Sequence, residues 1–287
     1  MRLSYLIPYK PESLERLAAI GLSAIQLRLG PEFPISLNDP EMEEAKRAAE
    51  DLRVRGIRVD ALGLYRNHLD ARAECREEES ARLRMVMKMA PLFGTDTIGV
   101  FAGRDPEKSI EDSIADFREV WTPLAQEAED RGLRLAFENC PMFRGYPVRG
   151  INLAHCPAAY ELMFEAVPSP ALGIEFDPSH CLKQRIDPLR FLQQFPGRTF
   201  HVHAKDHEVD EEKLQRYGCF DVRMSGDRFP GLGKVDFKGM FEELRRQGFD
   251  GSVTIEAERE PTVTDEESRR AALRKSVGHL RACGVEE

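Results

Sequence analysis

The feature that most constrains this chain is a repeat. A short apolar, β-rich run is followed by a turn, an amphipathic stretch and another turn, and the pattern recurs eight times. The runs fall at 3–9, 24–29, 57–64, 97–102, 133–140, 172–177, 199–205 and 252–257. Between them lie charged stretches with helical spacing, among them 41–55, 80–93, 110–131, 237–247 and 266–283. Glycines punctuate the scheme: Gly21, Gly56, Gly94, Gly132 and Gly248 stand where a helix end wants a left-handed residue.

Strands separated by helices pair in parallel through right-handed crossovers. Eight such units without a Pro/Gly/Ser-rich boundary predict a closed α/β barrel, a single (β/α)8 TIM barrel spanning residues 1–287 as one domain. One connection is too long for its place. Residues 207–234 separate the seventh strand from the next helical stretch, and they are charged, turn-rich and carry Tyr217, Phe220 and Phe229. A loop of that length in a compact domain is usually functional, so a lid-like loop after strand 7 is expected.

The strand ends carry the chemistry. In a parallel barrel the C-terminal ends of the strands gather at one mouth, where catalytic groups sit. The fifth run reads Phe137-Glu138-Asn139-Cys140 at its end, and the sixth Glu175-Phe176-Asp177. The seventh reads His201-Val202-His203-Ala204-Lys205, and the eighth Thr254-Ile255-Glu256-Ala257-Glu258. Side chains two apart share a strand face. If the inward face is the one that ends in the polar group, Glu138, Asp177, His203 and Glu256 converge.

A single buried Glu or His at a strand end is more often a satisfied hydrogen-bonding residue than a ligand. Four consecutive strands ending this way are harder to explain so. Three crowded carboxylates and an imidazole would repel unless a divalent cation neutralised them. Oxygen-rich ligation with one imidazole suits Mn²⁺ first, with Mg²⁺, Co²⁺ or Zn²⁺ as alternatives. His201 lies one pleat deeper, which gives it a supporting or core role. For His68, His155, His207 and His279 no pattern stands out, and solvated surface is expected.

Composition narrows the function classes. Hydrophobic residues make up 41% of the chain, enough to fill a core, and no apolar stretch approaches the roughly 20 residues of a membrane span. The balance of 41 basic against 50 acidic residues, a net charge of −9, argues against a nucleic-acid surface. Six scattered cysteines without a C-x-x-C pair, and an N-terminus without a signal-peptide core, point to the cytoplasm.

Several pieces then resemble a known family. Phe137-Glu138-Asn139-Cys140-Pro141-Met142, Phe176-Asp177-Pro178-Ser179-His180, His201-Val202-His203-Ala204-Lys205-Asp206 and Pro230-Gly231-Leu232-Gly233 look like the xylose isomerase-like TIM barrel superfamily, sugar phosphate isomerase/epimerase family. Ala61-Leu62-Gly63-Leu64-Tyr65-Arg66-Asn67 and Phe101-Ala102-Gly103-Arg104 agree with it, so the resemblance runs nearly end to end. It implies one divalent metal ion on Glu138, Asp177, His203 and Glu256, the set the alternation also picks. It further implies substrate contacts from His180, Lys205 and Arg228, and Glu138 and Glu256 as the catalytic proton-transfer pair.

The implied activity is that of a metal-dependent sugar isomerase or epimerase acting on a keto-sugar through an enediolate. The alternative is a lyase or dehydratase that eliminates a β-leaving group from a keto-sugar, keto-glycoside or keto-inositol, with Lys205 or His180 as the acid. No Gly-rich phosphate loop is evident, which favours a non-phosphorylated substrate. Two other classes weigh less. Apurinic endonucleases of this fold need histidines that the chain lacks after its fourth strand, and a sensing barrel would not need an intact acid/base pair. The family implies a dimer or tetramer, while the acidic balance and the lack of a long apolar stretch predict neither a nucleic-acid nor a membrane partner.

Overall fold

Each of the eight apolar runs forms a strand. The structure, a computed structural model, describes residues 1–30, 33, 42–144, 149–219, 225–258 and 260–286. The strands are β1 (Arg2–Pro8), β2 (Ala24–Arg28), β3 (Arg58–Leu64), β4 (Thr97–Val100), β5 (Arg134–Glu138), β6 (Phe143–Arg144) and β7 (Arg149–Gly150). They continue as β8 (Leu172–Phe176), β9 (Thr199–Ala204), β10 (Asp206–Val209), β11 (Ser225–Arg228) and β12 (Ser252–Ile255). Eight close into a barrel in the order β1-β12-β9-β8-β5-β4-β3-β2, while β6–β7 and β10–β11 are separate antiparallel pairs. All eight barrel pairings are parallel.

The helices are α1 (Pro11–Ala19), α2 (Glu43–Val54), α3 (Ala73–Met89), α4 (Ile110–Asp130) and α5 (Pro157–Ala166). After them come α6 (Pro178–Lys183), α7 (Pro188–Gln194), α8 (Glu211–Tyr217), α9 (Phe237–Arg246) and α10 (Glu266–Ala282). Strands β4, β8 and β12 are buried along their whole length, as expected where side chains fill the barrel and helices cover its outside. Helix α9 buries Phe237, Met240, Phe241 and Leu244, the i, i+3, i+4, i+7 stripe of a helix packed on a sheet.

Helix α4 shows how local signals and packing combine. Ser109 caps it by accepting a 3.0 Å hydrogen bond from the Asp112 amide, a contact that stabilises helices by about 1 kcal/mol. Its buried face carries Phe117, Trp121 and Leu124. Trp121 donates its indole N–H to the Ala102 carbonyl at 3.1 Å, fastening the helix to the chain leaving β4.

Two expectations change in detail. Helix α3 begins at Ala73 rather than at 80, because its first turns are largely polar and give no apolar period. Residues Ala90–Phe93 form a 3-10 turn, since Pro91 offers no N–H to an α-helical ladder. The 207–234 segment carries secondary structure: β10 pairs with β11 and α8 lies between them, with 220–224 outside the described residues. Its base is tied down by Asp206, whose carboxylate accepts the amides of Gly231, Gly233 and Val235, each at 2.9 Å. Among the described residues no helix is long and apolar enough to cross a membrane.

Candidate metal centre and active site

The C-terminal ends of β5, β8, β9 and β12 bring the polar strand ends to one mouth. One oxygen or nitrogen from each of Glu138, Asp177, His203 and Glu256 lies within 4.8 Å of every other, and all four residues are buried. Local structure aims each of them. Asp177 follows β8 and caps α6, so its Oδ1 accepts the Ser179 amide at 2.8 Å and Oδ2 turns to the mouth. Asn139 stitches the diverging ends of β5 and β8 by accepting the Asp177 amide at 2.7 Å and donating to its carbonyl at 2.8 Å. Asn152 does the same for β4 and β5: it accepts from the amides of Ala102 and Gly103 and donates to the carbonyls of Glu138, Cys140 and Ala154.

His203 faces two ways. Its Nδ1 lies 3.0 Å from Glu138 Oε1 and 3.1 Å from Glu256 Oε2, while Nε2 points into the barrel. Burial disfavours the charged imidazole, yet Glu175 and Glu138 outweigh it and hold its pKa well above the ordinary value. Burial likewise opposes ionisation of Glu138, but hydrogen bonds from His180 and His203 prevail and lower its pKa to about 2. Desolvation raises Asp177 to about 6 despite His180 and Lys205 nearby.

These groups fit a divalent cation. Asp177 Oδ2 and Glu256 Oε2 are buried oxygens that accept no hydrogen bond among the described residues. The donor set is three carboxylates and one imidazole, the hard, oxygen-rich type that divalent cations take.

The mouth opens into a cavity of about 430 Å³ that Glu138, His180, Lys205 and Glu256 line. His180 Nε2 lies 3.3 Å from Asp177 Oδ2 and 3.6 Å from Glu138 Oε1. Lys205 Nζ lies 3.0 Å from Glu256 Oε1 and 3.3 Å from Glu258 Oε2; burial lowers its pKa, and Glu256 and Asp177 override that and keep it charged. Arg228 stands apart. Its guanidinium is held by Glu208 at 2.6 Å and Glu260 at 2.9 Å, and the cavity is lined by its neighbour Asp227 instead. In an extended hairpin strand adjacent side chains face opposite ways, so Asp227 rather than Arg228 is turned to the site.

Histidines outside the cluster correct a second expectation. His68, His155 and His207 are buried rather than solvated, and only His279 of that group is exposed. His68 packs edge-on against Trp121, and His207 meets Asp227 at 3.1 Å. His201 sits in the barrel interior 2.7 Å from Thr254 Oγ1, in a core role. Gln26, absent from every sequence motif, and Tyr65 and Glu175, to which the sequence assigned no role, surround the far side of His203. Glu175 shares the inward face with Asp177, as the alternation expects.

Comparison with known proteins follows the same lines. The family model described as "Xylose isomerase-like TIM barrel" matches residues 14–283. An inosose dehydratase of Lacticaseibacillus casei is 32% identical over 94 residues, which is 31% of this chain and 32% of that protein. The matched stretch is thus about a third of that relative's length. Among solved structures, the 3-keto-D-glucoside 4-epimerase of E. coli superposes with a TM-score of 0.71 at 19% identity, covering 99% of this chain and 100% of that one. A D-psicose 3-epimerase from Clostridium cellulolyticum H10 gives a TM-score of 0.74 at 15% identity, covering 99% and 100%. At those identities the two structures attest the fold alone.

Proposed function

The chain belongs to the xylose isomerase-like TIM barrel family, and from that premise we propose that it is a divalent-metal-dependent isomerase or epimerase of a keto-sugar. The observation that carries the reading is the pair Glu138 and Glu256. They reach one mouth from β5 and from the end of β12, both against His203 Nδ1, and both line the cavity. A cation held by Glu138, Asp177, His203 and Glu256 would polarise a carbonyl and the adjacent hydroxyl, acidifying the C–H between them.

The chain's own residues supply the rest. One of the two glutamates takes the proton from that carbon, and the other returns one, on the opposite face for epimerisation or on the neighbouring carbon for isomerisation. His180 and Lys205 hold substrate oxygens, since both are buried and line the cavity. The 207–234 segment contributes Asp227 to the wall and is the natural lid. The hard donor set favours Mn²⁺, ahead of Mg²⁺, Co²⁺ or Zn²⁺. We place the protein in the cytoplasm as a one-domain subunit of a dimer or tetramer.

One observation favours a second reading. The charged Lys205 ammonium lies 3.0 Å from Glu256, an acid placed beside a base, which suits expulsion of water or an aglycone. The inosose dehydratase relative is in keeping with such a lyase. Incubating a panel of keto-sugars, keto-glycosides and keto-inositols in D₂O separates the two. Deuterium at an α-carbon of a product of otherwise unchanged mass is expected for isomerisation or epimerisation. Loss of water or aglycone would replace that reading with the lyase, and inertness of the cation-loaded protein on the whole panel would overturn both.

A further inference from the structure

Beneath the four-residue cluster lies a second polar layer that neither acid/base chemistry nor cation ligation uses. Glu175 and Gln26 are completely buried inside the barrel, and the Tyr65 hydroxyl joins them. Gln26 Nε2 donates to Glu175 Oε1 at 2.6 Å and to the Tyr65 oxygen at 2.8 Å. Tyr65 in turn donates to Glu175 Oε2 at 2.9 Å. Gln26 Oε1 then has one partner left, His203 Nε2 at 2.8 Å. Space for this layer is kept by Gly99 on β4, where an added Cβ would come within 2.5 Å of both Glu175 oxygens.

With Glu175 ionised, the donors and acceptors of this layer fit together in one direction only. Turning the Gln26 amide over would set its carbonyl against the Glu175 carboxylate and the Tyr65 oxygen, and point its NH₂ at His203. Glu175 therefore holds Gln26 with its carbonyl toward the ring. A ring nitrogen facing that carbonyl must carry the hydrogen. The other nitrogen, Nδ1, is the one beside Glu138 and Glu256.

The geometry points to Glu175 as a positioning residue that, through Gln26, fixes the His203 ring with its hydrogen on Nε2 and its lone pair on the Nδ1 side. This rests on the reading of His203 as a cation ligand. Outer partners of this kind set ring orientation and ligand basicity, and losing one typically weakens metal binding about 10–100-fold. The same carboxylate also lies 3.3 Å from Nε2, so it reinforces the arrangement directly.

The test uses Glu175→Met, Gln26→Met and the double variant Glu175→Met/Gln26→Glu, which returns an acceptor to Nε2 from the other side. Mn²⁺ affinity is measured by calorimetry. The His203 ring is read by ¹⁵N NMR in Zn²⁺-loaded protein, and in cation-free protein at a pH where the ring is neutral. Each single variant should bind Mn²⁺ about 10–100-fold more weakly and lose the uniform Nε2–H signature, and the double variant should recover most of both. Single variants that bind within about threefold of wild type and keep Nε2–H would overturn the inference. So would a wild type that takes two equivalents of Mn²⁺, one of which Glu175→Met loses, because Glu175, His201 and His203 would then be a ligand set themselves. If wild type binds no divalent cation, the metal reading falls, while the cation-free spectra still decide whether Glu175 sets the tautomer.

Discussion

The two mouths of the barrel differ in a way that cavity size does not reveal. At the N-terminal mouth a cavity of about 520 Å³ is lined by Arg58, Asp60, Asp96, Arg134 and Ser252, and it is larger than the 430 Å³ cavity at the C-terminal mouth. Yet each of its carboxylates has a basic partner: Arg58 with Asp60 at 2.5 Å and Arg134 with Asp96 at 2.7 Å, while Ser252 donates to Asp60 at 2.7 Å. At the C-terminal mouth three carboxylates crowd together, and two of their oxygens accept no hydrogen bond among the described residues. Paired charge satisfies itself and stabilises the barrel. Crowded like charge is costly and persists where a ligand uses it.

That contrast can be broken most severely by removing divalent cations. Chelation should abolish turnover, and re-addition should restore it, with metal content checked by elemental analysis. Full activity in verified metal-free protein would erase the distinction between the mouths. Next in size, Glu138→Gln and Glu256→Gln should each lower kcat by about 10²–10⁴-fold with the circular dichroism spectrum unchanged. Asp96→Asn at the opposite mouth should leave kcat and KM as they are. A comparable loss there would show that catalysis depends on both ends of the barrel.

Smaller effects concern the scaffold around the active mouth. Asn152 partners four backbone groups at the ends of β4 and β5 and the Ala154 carbonyl, so Asn152→Ala should cost about 2–4 kcal/mol in urea unfolding. His68 supplies a pH test. Burial, with a smaller contribution from Arg66, lowers its pKa to about 3, and both ring nitrogens lack a partner among the described residues. Between the unfolded value of 6.5 and about 3 the unfolded chain binds a proton that the native chain refuses. Stability is therefore full above that window and falls as pH drops through it, by up to about 1.4 kcal/mol per pH unit. His68→Gln should flatten the slope of melting temperature against pH; an unchanged slope would remove His68 from the account. The smallest effect belongs to the N-terminal mouth, where a double-mutant cycle on Arg134 and Asp96, both about half exposed, should give a coupling below about 1 kcal/mol.

Much of the architecture was legible because it is written in local periods. The strand runs at 97–102 and 172–177 appear as β4 and β8, since a short apolar run between a helix C-terminus and a turn has few other places to go. Gly56 and Gly132, read as helix ends, take φ of 69° and 65° immediately after α2 and α4. The four residues expected to converge were found from polar strand ends and alternation, because a side chain two positions along a strand returns to the same face whatever the partner strand is.

What escaped depends on neighbours distant in the chain. His68 is buried because Trp121, 53 positions later, covers it. Arg228 fails to reach the cavity because the β10–β11 register turns Asp227 inward and offers Arg228 to Glu208 and Glu260. Tyr65 lies in the family-like run 61–67 and Glu175 on the inward face of the sixth run, but with Gln26, which carries no motif, they come from three separate strand–helix units. The sequence by itself determined the barrel, its polar mouth and the four residues that converge there, since side-chain period and turn chemistry act over a few residues. Only the closed tertiary structure decided which nitrogen of His203 faces the cluster and which groups hold it there, because hydrogen-bond donors and acceptors are matched across strands that meet only when the barrel closes.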